Sequence, residues 1–166
     1  MSPNILLVFI LSLANAIIYP DWLHFPGSPC SKECYEPECS VLCQGYDSFA
    51  KCISHQCNAK TIGNSSTAQC FDDNCTATCE GMACTTYCMG DNCTSACEGV
   101  ACKSYSMGVT STVECSGNKS RGVCNGPKCV SSCDGDSCIA ECIGEECVAE
   151  CTGQRCWKKN IHSTFG

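Results

Sequence analysis

The sequence predicts an all-β protein, a small disulfide-laddered β-solenoid of about fourteen nine-residue coils with the repeat C-x-G-x-x-C-x-x-x. All 23 cysteines lie on one grid of alternating four- and five-residue steps that runs from Cys30 to Cys156. Glycine recurs at the third position of most units, where it suits a tight corner with positive φ. A fixed short period over so many copies is typical of a solenoid.

The chain divides into four segments. Residues 5–14 form a short apolar run, and Ala14-Asn15-Ala16 follows it with the small residues that a signal peptidase reads, so residues 1–16 are predicted to be a signal peptide. Residues 17–29 are predicted to form an N-terminal cap, residues 30–156 the solenoid, and residues 157–166 a C-terminal cap or tail. Aromatic residues near the two ends are candidate lids over the open coils: Tyr19, Trp22, Phe25, Trp157 and Phe165.

Each unit combines a strand with a turn. The residue midway between the second cysteine of one unit and the first cysteine of the next is small, and its neighbours are mixed or polar, as Ala77 is flanked by Thr76 and Thr78. This two-residue alternation is typical of a half-buried strand. About fourteen stacked coils at a strand spacing of 4.7–4.9 Å are therefore expected to make a thin rod roughly 65–70 Å long.

Two pairings of neighbouring cysteines are available. Cysteines four residues apart along a strand are separated by about 13 Å, beyond the roughly 7 Å limit for a disulfide, so geometry favours the pair five apart across the glycine turn. Bonds between equivalent cysteines of adjacent coils remain an alternative. The turn-spanning rule gives ten disulfides: Cys34–Cys39, Cys52–Cys57, Cys70–Cys75, Cys79–Cys84, Cys88–Cys93, Cys97–Cys102, Cys124–Cys129, Cys133–Cys138, Cys142–Cys147 and Cys151–Cys156.

This rule leaves Cys30, Cys43 and Cys115 without partners. Because the number of cysteines is odd, at least one is free or bonded to another molecule. A covalent homo-oligomer formed through a spare cysteine is therefore one expectation.

Composition and spacing disfavour several classes of function. The net charge of −7 and the pI near 4.8 argue against nucleic-acid binding, and no later segment is apolar enough for membrane insertion. No two cysteines are closer than four residues, so thiolate metal sites are not expected. The repeat places no partner beside His24, His55 or His162, so we expect no catalytic residues, no metal and no cofactor.

Four N-glycosylation acceptor triplets accompany the predicted secretory signal. Such triplets mark surface positions in secreted chains. Their asparagines are Asn64, Asn74, Asn92 and Asn118.

The unit C-x-G-x-x-C resembles the ten-residue repeat of the chironomid midge antifreeze proteins, which form a tight disulfide-bridged solenoid. The overlap covers nearly all of residues 34–156. In that family a ladder of tyrosines before the second cysteine contacts ice, whereas here the position holds Ala83, Asn92 and Ala101 among others. A flat threonine-bearing face is the candidate replacement for the ladder: Thr67, Thr76, Thr85, Thr94 and Thr112.

The sequence thus predicts a secreted, extracellular, non-enzymatic rigid repeat protein with a structural or partner-binding role, whose partner is unknown. Two alternatives remain at this stage. One is an ice-binding protein that uses the threonine face. The other is a disulfide-stabilised secreted toxin or effector.

Overall fold

The computed structural model describes residues 29–162, and these residues form strands and turns without a helix. The strands are β1 (Ser31–Cys34), β2 (Ser40–Gln44), β3 (Phe49–Cys52), β4 (Asn58–Ile62), β5 (Thr67–Phe71), β6 (Thr76–Glu80), β7 (Thr85–Met89), β8 (Thr94–Glu98), β9 (Lys103–Met107), β10 (Thr112–Ser116), β11 (Arg121–Asn125), β12 (Val130–Asp134), β13 (Ile139–Ile143), β14 (Val148–Thr152) and β15 (Trp157–Ile161). The predicted all-β solenoid is confirmed.

The strands alternate between two parallel sheets. The odd sheet contains the eight odd-numbered strands in the order β1 to β15, and the even sheet contains the seven even-numbered strands from β2 to β14. Within a sheet, each residue pairs with the residue eighteen positions later, as Thr76 pairs with Thr94 and Cys79 with Cys97. Identical positions of the repeat therefore stack in straight columns along the rod.

This register corrects the predicted number of coils. A nine-residue unit is one strand and one turn, which reverses the chain once, so two units are needed before the chain runs in its original direction beside itself. Parallel pairing requires that shared direction. One coil is thus eighteen residues, and the rod has about seven coils instead of fourteen. Eight strands spaced about 4.8 Å apart make the odd sheet roughly 34 Å long, half the expected length.

The space between the two sheets accepts only small side chains. In the central strands the two inward positions are buried and the outward ones half-buried or exposed, as the predicted alternation requires. Cysteine, alanine, serine and threonine fill these inward positions, and the largest fully buried side chain is Val113. The sheets lie too close together for leucine or phenylalanine, so covalent bonds between cysteines replace a conventional apolar core.

Hydroxyl groups in the interior bond to one another. Thr86 Oγ1 donates to Ser104 Oγ at 2.8 Å, Ser95 Oγ donates to Thr86 Oγ1 at 2.8 Å, and Ser104 Oγ donates to the Ser95 carbonyl at 2.7 Å. All three residues are fully buried. Because a buried hydroxyl without a partner costs about 1–3 kcal/mol, this chain of bonds lets hydroxyls occupy a column where other coils have alanine.

The turns depend on glycine at the third position of most units. Gly81 and Gly99 have φ angles of 145° and 137°, in the region that favours glycine. A Cβ atom at Gly99 would lie 2.1 Å from the carbonyl oxygen of Gly81 in the turn below. Two positions later the backbone is left-handed again, although the residue is Ala83 or Ala101. Asp72 is the one non-glycine among the described residues with the wide φ, at 147°.

The solenoid extends beyond the predicted boundary at residue 156. Strand β15 pairs with β13 through backbone hydrogen bonds, which need no cysteine. A strand therefore forms beyond Cys156, and it ends at Ile161. Trp157 lies in this strand beside Ile139, with 49% of its surface exposed. The predicted signal peptide, residues 17–28 of the predicted N-terminal cap and Phe165 lie outside the described residues. Within residues 29–162 no helix has the length and apolar character needed to cross a membrane.

Two substitutions in one turn test this account. We expect Gly99→Ala to destabilise the fold by about 3 kcal/mol. The new methyl group meets a carbonyl oxygen, and the backbone φ at this position is one that L-residues avoid. At Ala101 the backbone is left-handed, with a φ of 59°. Ala101→Gly removes the strain of an alanine in this conformation and should be neutral or stabilising by up to about 1 kcal/mol. Thermal unfolding of the two oxidised variants measures both effects. Equal stability of the two variants would contradict the proposed stacking of turns.

Candidate functional site

Disulfides span the turns along most of the rod. Nine of the ten pairs expected from the turn-spanning rule are bonded, and their Cα atoms are 5.8–6.4 Å apart. Each joins the end of one strand to the start of the next, so each ties the odd sheet to the even sheet. A closure of this length contributes about 2 kcal/mol by loop entropy. The candidate site is thus built on a covalent frame.

The structure corrects the assignment of Cys30 and Cys43, which are bonded to each other with Cα atoms 5.4 Å apart. Neither residue has a cysteine across its own turn, since the grid position after Cys43 is Ser48. The two lie at the same edge of the rod, thirteen residues apart. The same thirteen-residue relation brings Cys39 Sγ to 3.7 Å from Cys52 Sγ. Sequence reasoning missed this bond because the return of the chain after two units was not recognised.

The structure also corrects the predicted bond between Cys70 and Cys75, which are both free and buried. Their turn carries Asp72 where regular turns have glycine, and Asp72 keeps the wide φ of 147°, whereas the turns with Glu36 and Ser54 lack that φ and hold bonded cysteines. The sulfur atom of Cys57 lies 3.6 Å from each of the two thiols. Burial is the main cause that raises the pKa of Cys70 above its ordinary value. This one turn therefore holds two free thiols, and the raised pKa keeps the Cys70 thiol protonated.

Cys115 is the third free cysteine, and its position makes it a poor nucleophile. It is 4% exposed, and the residue across its turn is Ser120. Burial raises the pKa of its thiol to about 12, so only about one molecule in ten thousand carries the thiolate at pH 8. An intermolecular bond through Cys115 would require the even sheet to open. Covalent homo-oligomerisation stays a prediction that this burial disfavours.

Three groups of three cysteine sulfurs lie within 4.8 Å of one another, but each contains at least one sulfur that is already in a disulfide. In a fourth group, the ligand atoms of His55, Asp72 and Asp73 lie within 4.8 Å of one another, and all three residues are exposed. The carboxylates of Asp72 and Asp73 accept backbone hydrogen bonds in the turns. Asp73 Oδ1, for example, accepts from Asp91 N at 2.7 Å. The sequence did not place a partner beside His55, because the eighteen-residue spacing to Asp73 was not recognised.

The five threonines of the predicted ice face do not share a face. Thr67 and Thr85 lie in the odd sheet, and Thr76, Thr94 and Thr112 lie in the even sheet. Residues nine apart fall on opposite sides of the rod because each unit reverses the chain. The flat face of five threonines is therefore wrong, and a single column of three remains.

The four glycosylation acceptors lie in the turns. Asn74 and Asn92 adopt left-handed backbone conformations. Asn64 and Asn118 accept backbone hydrogen bonds through Oδ1, from Met82 N at 2.9 Å and from Asp136 N at 3.1 Å. All four positions are at the edges of the rod, so the sheet surfaces remain free of them.

The outward side chains of the odd sheet, here called the odd face, carry an apolar groove. Tyr87 and Tyr105 stack with ring centroids 5.2 Å apart. Met89 and Met107 lie beside them, 42% and 54% exposed, and the groove between these side chains and Val123 measures about 270 Å³. The members of each pair are eighteen residues apart, so the sequence contains this feature once the true coil length is known.

The outward side chains of the even sheet, here called the even face, are acidic. Glu80, Glu98 and Glu114 line a groove of about 310 Å³. Glu80 forms an ion pair with Lys60 from the neighbouring strand, and Glu98 and Glu114 are exposed. The two broad surfaces of the rod thus differ in both polarity and charge.

No protein-family model, curated protein or solved structure matches this chain. The resemblance to the midge antifreeze proteins therefore stays a prediction from the repeat alone.

A count of free thiols tests the role of Asp72. We expect three thiols in the denatured, oxidised wild type, and one in Asp72→Gly, because a regular turn brings Cys70 and Cys75 into bonding geometry. Thiol titration in denaturant without reductant measures the number. One thiol in the wild type would show that Asp72 does not keep the turn open.

Alkylation tests the protection of Cys115. At pH 8 we expect the folded protein to leave Cys115 unlabelled by iodoacetamide, since the raised pKa keeps the thiol protonated and labelling accelerates only as the pH approaches 12. Ser116→Cys provides the matched control, because residue 116 points outward from the same strand and should label rapidly. Peptide mapping by mass spectrometry separates the two sites. Equal labelling of both would contradict the burial argument.

Proposed function

We propose that this protein is a secreted, non-enzymatic structural rod of the extracellular space. The observation that supports this most directly is the covalent core, in which ten disulfides tie the two sheets together over a rod of about seven coils. Disulfides at this density form and persist in oxidising compartments. The predicted signal peptide over residues 1–16 points to the same compartment.

The composition of the interior supports a structural role more than a catalytic one. Cysteine, alanine, serine, threonine and valine side chains occupy the space between the sheets. A ligand therefore meets the protein only at its outer surfaces and turns. Those surfaces are rows of repeated side chains at fixed spacing, a geometry suited to extended contacts with another surface.

The same covalent core predicts resistance to degradation. Cleavage by most proteases requires several residues of extended chain, and each disulfide holds a half-turn closed even when the strands separate. Rigidity of this kind is useful in an extracellular coat or matrix. It adds nothing to a protein that remains in a reducing cytosol, where the bonds would be lost.

Expression of the whole chain in secretory cells tests the proposal with two readouts. We expect oxidised protein in the medium, and we expect a chain lacking residues 1–16 to stay inside the cell. The secreted rod should survive hours with a broad-specificity protease, whereas the same sample treated with reductant should be degraded within minutes. Retention of the whole chain in the cell, or equal cleavage with and without reductant, would overturn the proposal.

A further inference from the structure

We propose that copies of this protein stack side by side, with the odd face of one copy seated on the even face of the next. The inference rests on the proposed structural role and names the partner of the rod, a second copy of the same chain. The two faces are opposite in charge. The odd face carries four cations and two carboxylates at outward strand positions, and the even face one cation and five carboxylates.

The direction of the strands aligns these charges. The chain reverses between the two sheets, so the first positions of the odd strands and the last positions of the even strands lie along the same edge of the rod. On the odd face this edge holds Lys103 beside Arg121. On the even face it holds Glu80 beside Glu98, and Asp134 two strands further on. A copy displaced along the sheet normal therefore places its acidic edge over a basic edge.

The cations of the odd face and the carboxylates of the even face also lie at similar levels along the rod axis. Strand β9 follows β8 by half a coil, so Lys103 sits about 2.4 Å along the axis from the level of Glu98. Arg121 lies about 2.4 Å from the level of Asp134 in the opposite direction along the axis, and its guanidinium also pairs with Glu141 on its own face. Both cations have flexible side chains that span this distance, and Lys103 and Glu98 are exposed in the single chain.

The opposite edge brings apolar groups together. The last positions of the odd strands include Phe71, Met89 and Met107, which stack in one column. The first positions of the even strands at these levels are Thr76, Thr94 and Thr112, which stack in the facing column. The same displacement therefore covers the exposed methionines with threonine methyl groups.

A second copy fits these faces along their whole length because both faces share one period. The two sheets belong to the same eighteen-residue coil, so every column on either face repeats at the same strand spacing of about 4.8 Å. A partner with any other period would match at one or two positions only. The glycosylation acceptors lie in the turns at the rod edges, so they leave this contact open.

The size of the faces sets the strength of the contact. Strands of about 17 Å and a sheet of about 34 Å give roughly 570 Å² for each face, or about 1,150 Å² buried for each pair of copies. Stable interfaces begin near about 1,200 Å², so a single contact is weak. Each copy also has its second face free. When unlike faces bind with no rotation between the copies, the assembly does not close and grows as an open series. Association should therefore rise with concentration and fall with salt.

Sedimentation velocity of the secreted, oxidised protein tests the stacking. In about 20 mM salt we expect the average sedimentation coefficient to increase with concentration, and in about 500 mM salt to return to that of the monomer, because exposed charges are screened. Lys103→Glu and Glu98→Lys should each reduce association at least tenfold, since each places like charges opposite one another. The reversals Lys128→Glu and Glu146→Lys, at exposed turn positions, serve as matched controls and should leave association unchanged.

Mixing the variants separates this arrangement from others. Lys103→Glu and Glu98→Lys should associate when combined, because Glu at position 103 of one variant then meets Lys at position 98 of the other. Contact of two odd faces would instead make Glu98→Lys neutral, which overturns the proposal. A wild type that stays monomeric at every concentration also overturns it. Protease resistance measured in the same samples shows whether the rod itself is intact, so a monomeric but resistant rod refutes the stacking and leaves the structural role standing.

Discussion

The narrow space between the two sheets is the constraint on which the rest of the structure depends. Backbone pairing between residues eighteen apart builds two parallel sheets, and short turns hold them close together. Only small side chains fit in that space, so ordinary burial of apolar surface supplies little stability. Disulfides replace it, because two cysteine side chains span the gap and close most of the half-turns covalently. Cysteine is therefore the core residue of this protein.

The same closeness explains the residues that interrupt the cysteine grid. Ser66, Ser111 and Ser120 occupy cysteine positions and are buried, and their hydroxyl groups donate to carbonyl oxygens in the turn below at 3.1–3.2 Å. At these three positions a hydroxyl near the volume of a thiol keeps the packing and gains a hydrogen bond, at the loss of a covalent bond, whereas the hydroxyls of Thr61 and Ser106 at two other cysteine positions are buried without a partner. Glycine has the complementary role at the corners, where the carbonyl of the turn below leaves no room for Cβ.

A solenoid of this kind separates stability from recognition. The interior columns hold the rod together, and the outward columns are free to vary without disturbing them. Here the variation is organised by face, with aromatic, apolar and basic side chains on one side and acidic side chains on the other. Because every column repeats with the same spacing, even weak contacts add along the length of the rod. The rod is consequently suited to binding extended surfaces, including a copy of itself.

The sequence by itself determined the strand and turn of each nine-residue unit, since the alternation of small and polar residues and the recurrent glycine are local signals. It also indicated most of the cysteine pairs, because a bond across five residues depends only on the geometry of one turn. Only the tertiary structure decided that two units make one coil. Parallel pairing depends on chain direction over eighteen residues, which no single unit contains. In that register Cys30 is bonded to Cys43, the threonines fall on opposite faces, and Tyr87 stacks on Tyr105.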